Sequence, residues 1–246
     1  MAVRIYLSPH LDDAVLSCGG LIARQAALGD AVTVLTVCAG EPGPGPLSEF
    51  AQSLHERWGV AAATIADRRS EDRMACGRLG ALVVQRDLPD AIYRRGPDGA
   101  VLYSTEEAIF GPLDPAEEPL IADLAGWLEG GCPVEAEVYC PLGFGGHVDH
   151  RLTRAAAERI GRLLWYYRDF PYAARGGDLP PGLSLPAHPV VHPLAAEEVQ
   201  TWAAAAAEYR SQLSTFWSSE YALLEELREF HDRSGGIVLY SARGSS

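Results

Sequence analysis

The stretch "VRIYLSPHLDDAVLSCGGLIARQAALGDAVTVLTVC", residues 3–38, decides the fold. It begins with a short apolar run at 3–7 that is rich in β-forming residues, and apolar residues then recur at helical spacing over 13–29. A second strand-like run follows at 31–38. A strand, a helix and a strand in this order predict a βαβ unit, in which the two strands run parallel.

The alternation of strands and helices continues along the chain. Helical patterns occupy 48–59, 64–80, 117–131, 150–164, 195–213 and 219–232. Strand-like runs occupy 81–88, 134–142 and 165–172, and an edge strand is predicted at 236–240. Between them lie a Pro/Gly loop at 39–48, a weakly patterned segment at 90–115 and a turn region at 174–189. We therefore predict an α/β fold with a Rossmann-like, mostly parallel sheet, helices on both faces, and a single domain over residues 1–246.

Composition narrows the function classes. The 246 residues carry a formal net charge of -13 and no run of Lys and Arg, which argues against binding to nucleic acid. The N-terminus has no signal-peptide pattern and no apolar stretch reaches membrane-spanning length, so we expect a cytoplasmic protein without membrane association. Five cysteines lack CxxC spacing, which favours buried thiols in a reducing compartment over disulfides. A homo-oligomer is compatible with the sequence.

The first candidate cluster lies just beyond the first strand. His10, Asp12 and Asp13 stand where open α/β sheets bind ligands, at the carboxyl end of a strand. A simpler interpretation is that one aspartate caps the following helix and that His10 is a turn residue. A cap requires only one of the two carboxylates.

The second cluster, in "LGFGGHVDHR" at 142–151, follows another predicted strand. It places His147, Asp149 and His150 at the same edge of the sheet as the first cluster. Two imidazoles and a carboxylate are the ligand set of a catalytic zinc that keeps a position open for water. The alternative for this motif alone is a polar helix start, but two clusters at one edge favour a metal centre.

At these residues the sequence resembles the PIG-L-type (LmbE-like) N-acetylglucosaminyl deacetylases. The resemblance rests on "SPHLDDAVLSCGG" and "HVDH", with support from "ADRRSEDRMACGRLGA", "DLPD" and "EYRSQL". It implies that His10, Asp13 and His150 hold Zn²⁺ or another divalent metal. The spacing by itself does not say which aspartate is a ligand and which is a base.

The resemblance also implies roles for the remaining candidates. Asp12 would be the general base that takes a proton from the attacking water. His147 would stabilise the developing oxyanion or protonate the leaving amine, and Asp149 would hold it in orientation. Arg68 and Asp90 would contact sugar hydroxyls, although a solvated helix charge and a turn residue are equally good interpretations of these two.

The residues that precede His147 differ from those of some family members. Phe144 and Gly145 offer no hydroxyl, so we expect transition-state stabilisation to depend on His147 and the metal.

Three function classes compete. The first is a metal-dependent hydrolase that removes an acetyl group from an N-acetylated amino sugar or glycoconjugate. The second is an amidase with the same mechanism that acts on a larger non-acetyl amide, because the motifs describe only the reacting centre. The third, a nucleotide-binding module, is disfavoured since no G-x-G-x-x-G follows the first strand. We expect a small-molecule sugar substrate carried on a larger group, with 90–115 and 174–189 forming walls around that group.

Overall fold

The computed structural model describes residues 1–57, 64–186 and 188–241. Within them, seven strands form one sheet in the order β3-β2-β1-β4-β5-β7-β6. The strands are β1 Val3–Ser8, β2 Ala31–Thr36, β3 Leu82–Gln85, β4 Glu137–Pro141, β5 Leu164–Tyr167, β6 His188–His192 and β7 Ile237–Ser241. The first five strands are mutually parallel, and β7 runs antiparallel to both β5 and β6.

The described residues also form nine α-helices. These are α1 Asp13–Ala27, α2 Glu49–Arg57, α3 Ile65–Arg78, α4 Glu106–Ile109, α5 Glu118–Gly131, α6 Val148–Arg159, α7 Ala196–Ala206, α8 Arg210–Phe216 and α9 Glu220–Ser234. The last two residues of the helix predicted at 48–59 lie outside the described ranges.

Side chains of the central strand alternate between two apolar cores. Tyr6 faces a core shared with α1, α3, α7 and α9, whereas Ile5 and Leu7 face a core shared with α5 and α6. This alternation follows from the two-residue period of a strand. Burial on both faces explains why residues 5–7 of β1 are consecutively apolar rather than alternating with polar residues. The predicted mostly parallel sheet with helices on both faces is confirmed.

Two small residues in α1 allow α7 and the residues just before it to pack closely against α1. A Cβ atom on Gly19 would lie 2.3 Å from the Trp202 ring, and one on Gly20 would lie 2.3 Å from Leu194. Trp202 is fully buried, and its indole Nε1–H donates to the carbonyl of Val15 at 2.7 Å. The "CGG" of the first motif therefore serves packing, whereas the residues before it enter the functional site.

The strand order places the two sequence motifs side by side. β1 pairs in parallel with both β2 and β4, so the chain reverses its direction of winding between β1 and β4. A crevice forms outside the carboxyl ends of the strands at such a reversal point. The segments after β1 and β4 carry His10 and His147, which confirms that the two clusters share one edge.

Three predictions about the second half of the chain are wrong. The segment 236–240 is not an edge strand, because β7 lies between β5 and β6. The edge strand is β6, which we assigned in part to the turn region at 174–189; Pro189 is tolerated there because an edge strand need not donate every ladder hydrogen bond. The helix predicted at 195–213 is broken into α7 and α8 around Tyr209, whose hydroxyl donates to buried Asp72 at 3.0 Å.

The strand predicted at 165–172 is also shorter than expected. β5 ends at Tyr167, and the residues after it turn into the crevice instead of extending the sheet. All five cysteines are buried and free. Among the described residues, no helix is long and apolar enough to cross a membrane.

Candidate active site

Ser8, rather than an aspartate, satisfies the start of α1. Its Oγ accepts from the backbone N–H of Ala14 at 3.0 Å and donates to the carbonyl of His10 at 2.6 Å. Asp12 occupies the N-cap position, but its side chain makes no capping hydrogen bond. The serine removes the need for a carboxylate cap. Asp12 and Asp13 are therefore available for chemistry.

The second motif forms the N-terminus of α6. The backbone N–H of Asp149 donates to His147 Nδ1 at 3.2 Å, so this histidine acts as the helix cap. His150, the residue after Asp149, is fully buried. The approach to this helix includes Gly143, Gly145 and Gly146, all with positive φ, a conformation that glycine adopts without steric cost.

The two motifs bring three donor atoms together. One ligand atom from each of His10, Asp13 and His150 lies within 4.8 Å of the others. Asp13 Oδ2 lies 3.1 Å from His10 Nδ1 and 3.3 Å from His150 Nε2. His150 Nε2 is buried and makes no hydrogen bond within the described part of the chain. An unsatisfied imidazole nitrogen beside a carboxylate and a second imidazole fits a divalent cation with an open position.

Asp149, which we expected to orient His147, also contacts His10 through its carboxylate. Its Oδ2 lies 3.0 Å from His10 Nε2 and accepts from the backbone N–H of Ala91 at 3.0 Å. Its other oxygen pairs with the buried guanidinium of Arg94. The Asp149 carboxylate therefore lies behind His10, while the backbone N–H of Asp149 donates to His147. A carboxylate behind a ligand histidine fixes the ring orientation and the nitrogen that carries the proton.

Asp169 provides the equivalent support for His150, and sequence reasoning missed it. His150 Nδ1 lies 2.6 Å from Asp169 Oδ1, and both residues are buried. Asp169 Oδ2 accepts from the backbone N–H groups of Gly143 and Phe144 at 2.8 and 2.9 Å. The sequence gives little indication of this role for Asp169, because single aspartates are common in the loops that follow strands.

The carboxylates of the site favour positive charge on the two histidines. Burial alone would lower the pKa of His150, but Asp13 and Asp169 outweigh it and raise the pKa to about 10. The pKa of His10 is likewise raised, against burial, by Asp13 and Asp149. Such an arrangement stabilises positive charge at the site, either as protons on the two imidazole rings or as a metal ion.

The pKa of Asp12 is shifted in the opposite direction from that of its neighbour Asp13. Burial, followed by the adjacent charge of Asp13, raises the pKa of Asp12 to about 7, while Arg68 and His10 act in the opposite direction. A carboxylate with a pKa near neutrality is suited to accept and return a proton. For Asp13, interactions with the two histidines outweigh burial and hold the pKa well below its ordinary value.

A cavity of about 330 Å³ opens over these groups. The polar part of its lining contains His10, Asp12, Asp13, His147, Arg68 and Asp90. The structure therefore places both predicted sugar-contacting residues at the cavity. Arg68 Nε is buried without a hydrogen-bond partner among the described residues, and Asp90 Oδ2 lies 3.5 Å from His10 Nε2.

Much of the remaining cavity lining is aromatic and apolar. Phe110 and Tyr172, which the sequence did not mark as site residues, contribute to it. The Phe110 ring lies 5.5 Å from the His147 ring, and the Tyr172 ring lies 5.7 Å from the His150 ring, both in edge-on arrangements. A small number of polar groups in a largely apolar cavity is typical of small-molecule sites.

Comparison with known proteins gives one family and several relatives. The family model for PIG-L, described as GlcNAc-PI de-N-acetylase, matches residues 5–160. The chain is 30% identical to 2'-N-acetylparomamine deacetylase of Niallia circulans, over 68% of this chain and 66% of that protein. It is 32% identical to the Streptomyces fradiae enzyme of the same name, over 70% of this chain and 58% of that protein. The chain thus spans less than two thirds of the length of both relatives.

Among solved structures, the zinc-inhibited form of teicoplanin deacetylase Orf2 is similar over nearly its whole length. The TM-score is 0.84 and the identity 28%, with 98% of this chain and 97% of that chain covered.

Proposed function

Because the chain belongs to the PIG-L family, we propose that it is a metal-dependent hydrolase that removes the acetyl group from an N-acetylated amino sugar or glycoconjugate. The observation that carries this proposal is the buried, unsatisfied Nε2 of His150 beside Asp13 and His10, two residues that line the same cavity as Asp12. The deacetylase relatives support it.

His10, Asp13 and His150 would hold the metal, with Zn²⁺ as our first choice and another divalent ion as the alternative. When bound, such an ion supplies Lewis acidity, which in zinc enzymes lowers the pKa of water to about 7. Asp149 and Asp169 would hold the two ligand histidines from behind, each through the ring nitrogen that faces away from Asp13.

Asp12 is the proposed general base. Its side chain lies in the cavity, makes no capping hydrogen bond and has a pKa raised to about 7 by burial and then by Asp13. Near neutral pH it accepts a proton from the attacking water and later delivers one to the leaving amine.

His147 is the proposed donor to the developing oxyanion. Burial, and then the neighbouring His10, lowers its pKa to about 4, so the ring is neutral at pH 7. Since Nδ1 accepts from the Asp149 backbone N–H, the neutral ring carries its proton on Nε2. A neutral imidazole that donates a hydrogen bond favours oxyanion stabilisation over protonation of the amine, the two roles left open by the sequence.

The substrate we propose is an N-acetylglucosamine-like sugar carried on a larger group. Arg68 and Asp90 would bind sugar hydroxyls, and the segment 90–115 contributes Phe110 to the cavity wall. Phe110 also borders a second groove of about 650 Å³, whose other side comes from the predicted turn region at 174–189. This groove offers space for an aglycone next to the reacting sugar.

We also propose the following cellular context. Residues 1–246 form a single domain, supported by one sheet whose strands come from both ends of the chain. The protein is cytoplasmic, supported by free, buried cysteines, and acts without nucleic-acid or membrane partners. A homo-oligomer remains compatible with this proposal.

The test is acetate release by the zinc-loaded protein from free N-acetylglucosamine, from its conjugates and from non-sugar amides. We expect the conjugates to be cleaved with higher kcat/KM than the free sugar, because remote contacts lower the barrier only when the substrate supplies them. Equal efficiency on free and conjugated sugars would remove the aglycone from the proposal. Cleavage confined to larger non-acetyl amides would establish the amidase alternative.

Two variants test the sugar contacts in the same assay. Arg68→Met and Asp90→Asn should lower kcat/KM while the zinc content stays at one ion per chain. Arg73→Met is the matched control, because Arg73 is an exposed arginine on the same helix as Arg68.

A further inference from the structure

We propose that Tyr172 is a further catalytic residue, whose hydroxyl donates a hydrogen bond to the carbonyl oxygen of the substrate amide as that oxygen gains negative charge. The inference rests on the proposed deacetylase function. It changes our expectation that transition-state stabilisation depends on His147 and the metal, because the hydroxyl comes from a segment that neither sequence motif contains.

The Tyr172 and His147 rings have the same two ring neighbours, His150 and Phe110. The Tyr172 ring centroid lies 5.7 Å from that of His150 and 6.2 Å from that of Phe110. The His147 ring lies 5.7 and 5.5 Å from the same two rings. Both side chains line the cavity that contains Asp12. Tyr172 and His147 therefore both line the cavity in which an amide would have to lie to react beside Asp12.

The Tyr172 hydroxyl differs from those of the buried tyrosines. Tyr6, Tyr103, Tyr167 and Tyr209 each use the phenol oxygen in a hydrogen bond to the protein. The hydrogen bonds among the described residues do not include one from the Tyr172 hydroxyl, which belongs to a side chain at the cavity surface. Phenol O–H groups in apolar surroundings ordinarily find a partner. A substrate oxygen is the partner that the cavity would supply.

The backbone around Tyr172 holds the ring in place. Its carbonyl accepts from the N–H groups of Arg175 and Gly177 at 3.2 and 2.8 Å. Its ring occupies the space in which Gly145 lacks a side chain, since a Cβ on Gly145 would lie 2.6 Å from the ring. The turn begins at Asp169, which also binds the glycine-rich loop. A side chain held this way is pre-organised for a donor role.

The chemistry needs no proton transfer from the tyrosine. Attack of water on the amide carbon moves the carbonyl π electrons to oxygen, and a nearby O–H donor stabilises that charge more than it stabilises the ground-state carbonyl. The phenol keeps its proton throughout, because burial and then the nearby charge of Asp13 raise the pKa of Tyr172 above the ordinary value of a tyrosine. Removing one donor to an oxyanion typically costs about 10²–10³-fold in kcat.

The experiment compares zinc-loaded wild-type protein with Tyr172→Phe on the best sugar conjugate. We expect kcat to fall by about 10²–10³-fold with KM nearly unchanged. Zinc content and Tm should match the wild type, since the ring remains. Tyr166→Phe is the matched control, because its hydroxyl contacts Glu158 rather than the cavity, and it should retain kcat.

A second variant, at Gly145, displaces the Tyr172 ring without changing its chemical structure. Gly145→Ala should lower kcat in the wild-type background and add little in the Tyr172→Phe background. Gly161→Ala is its control: Gly161 has a φ of 68°, similar to the 80° of Gly145, but no atom lies within 4 Å of its added Cβ. Gly161→Ala should therefore carry the backbone strain and keep kcat.

Each result either supports or overturns the proposed role of Tyr172. An active wild type with unchanged kcat in Tyr172→Phe, or a rise in KM alone, overturns the role of Tyr172 and leaves the proposed function standing. Full additivity of Gly145→Ala and Tyr172→Phe also counts against it. Failure of the wild type to release acetate from every substrate overturns the proposed function, and the role of Tyr172 with it.

Discussion

Asp169 Oδ1 lies 2.6 Å from His150 Nδ1, although the two residues are nineteen positions apart and only His150 belongs to a recognisable motif. The other oxygen of the same carboxylate binds the backbone of the glycine-rich loop. One buried side chain thus sets both the orientation of a proposed metal ligand and the shape of the loop that leads to it.

Asp169→Asn should weaken zinc binding by about 10–100-fold, the usual effect of losing a carboxylate behind a ligand histidine. An amide has one oxygen and cannot serve both His150 and the loop. The dissociation constant is measured by competition with a chelator. Asp178→Asn, an exposed aspartate in the neighbouring turn, should bind zinc as the wild type does. Unchanged affinity in Asp169→Asn would contradict the supporting role.

His150→Ala should lose the ion and remain folded, because a catalytic metal site need not support the core. Metal content by elemental analysis and the circular dichroism spectrum test the two parts separately. His188→Ala removes an exposed histidine from β6 and serves as the control. Full metal occupancy in His150→Ala would show that the ligand assignment is wrong.

Asp12→Asn should keep the ion and lose about 10²–10⁴-fold in turnover, since an amide retains the shape of the carboxylate but does not accept the proton. Asp13→Asn, one residue later, should lose the ion itself. The pair therefore separates base from ligand. Loss of metal in Asp12→Asn, with retention in Asp13→Asn, would exchange the two roles.

Zinc binding at pH 7 should release protons. In the metal-free protein, Asp13 and Asp169 outweigh burial and raise the pKa of His150 to about 10, so this ring is protonated at pH 7. A metal ion binds the neutral ring, and the affinity should therefore fall as the pH decreases below about 10. Calorimetry in buffers of different ionisation enthalpy measures the protons released. A binding enthalpy that is independent of the buffer would refute the prediction.

Arg94→Met should destabilise the fold by about 3–5 kcal/mol, the usual cost of breaking a buried ion pair by removing one partner. Arg94 is buried between Glu117 and Asp149, and without it two buried carboxylates lose their counter-charge. Denaturant unfolding measures the change. Adding Glu117→Gln should recover part of the loss, and Arg95→Met, at an exposed neighbour, should change stability by less than about 0.5 kcal/mol.

Sequence reasoning located the metal-site candidates because they follow two strands directly. Parallel strands bring their carboxyl ends to one edge, so the segments after β1 and β4 could be placed together before any coordinates. The target of the Asp149 carboxylate could not be placed in this way. Choosing between His10 and His147 requires the distance from the Asp149 carboxylate to each ring. Because His10 lies on a different segment, the pattern of one segment does not give that distance.

The missed elements depend on contacts distant in the chain. Asp169 and Tyr172 lie in an irregular turn whose sequence resembles an extension of β5, and only its packing against the glycine-rich loop gives these residues a role. Pro189 indicated a turn although it occupies an edge strand. The alanine-rich helical pattern gave no sign of the break at Tyr209, where the backbone leaves helical geometry with a ψ of 56° and the side chain donates to buried Asp72.

The location of Asp169 has a practical consequence for judging related genes. The match to the family model ends at residue 160 of this chain, before β5, Asp169 and Tyr172. A truncated open reading frame could retain both histidine motifs and still lack the group that supports His150, together with three strands of the sheet. Gene models of this kind should be assessed by whether an acidic residue follows the fifth strand, as well as by the two histidine motifs.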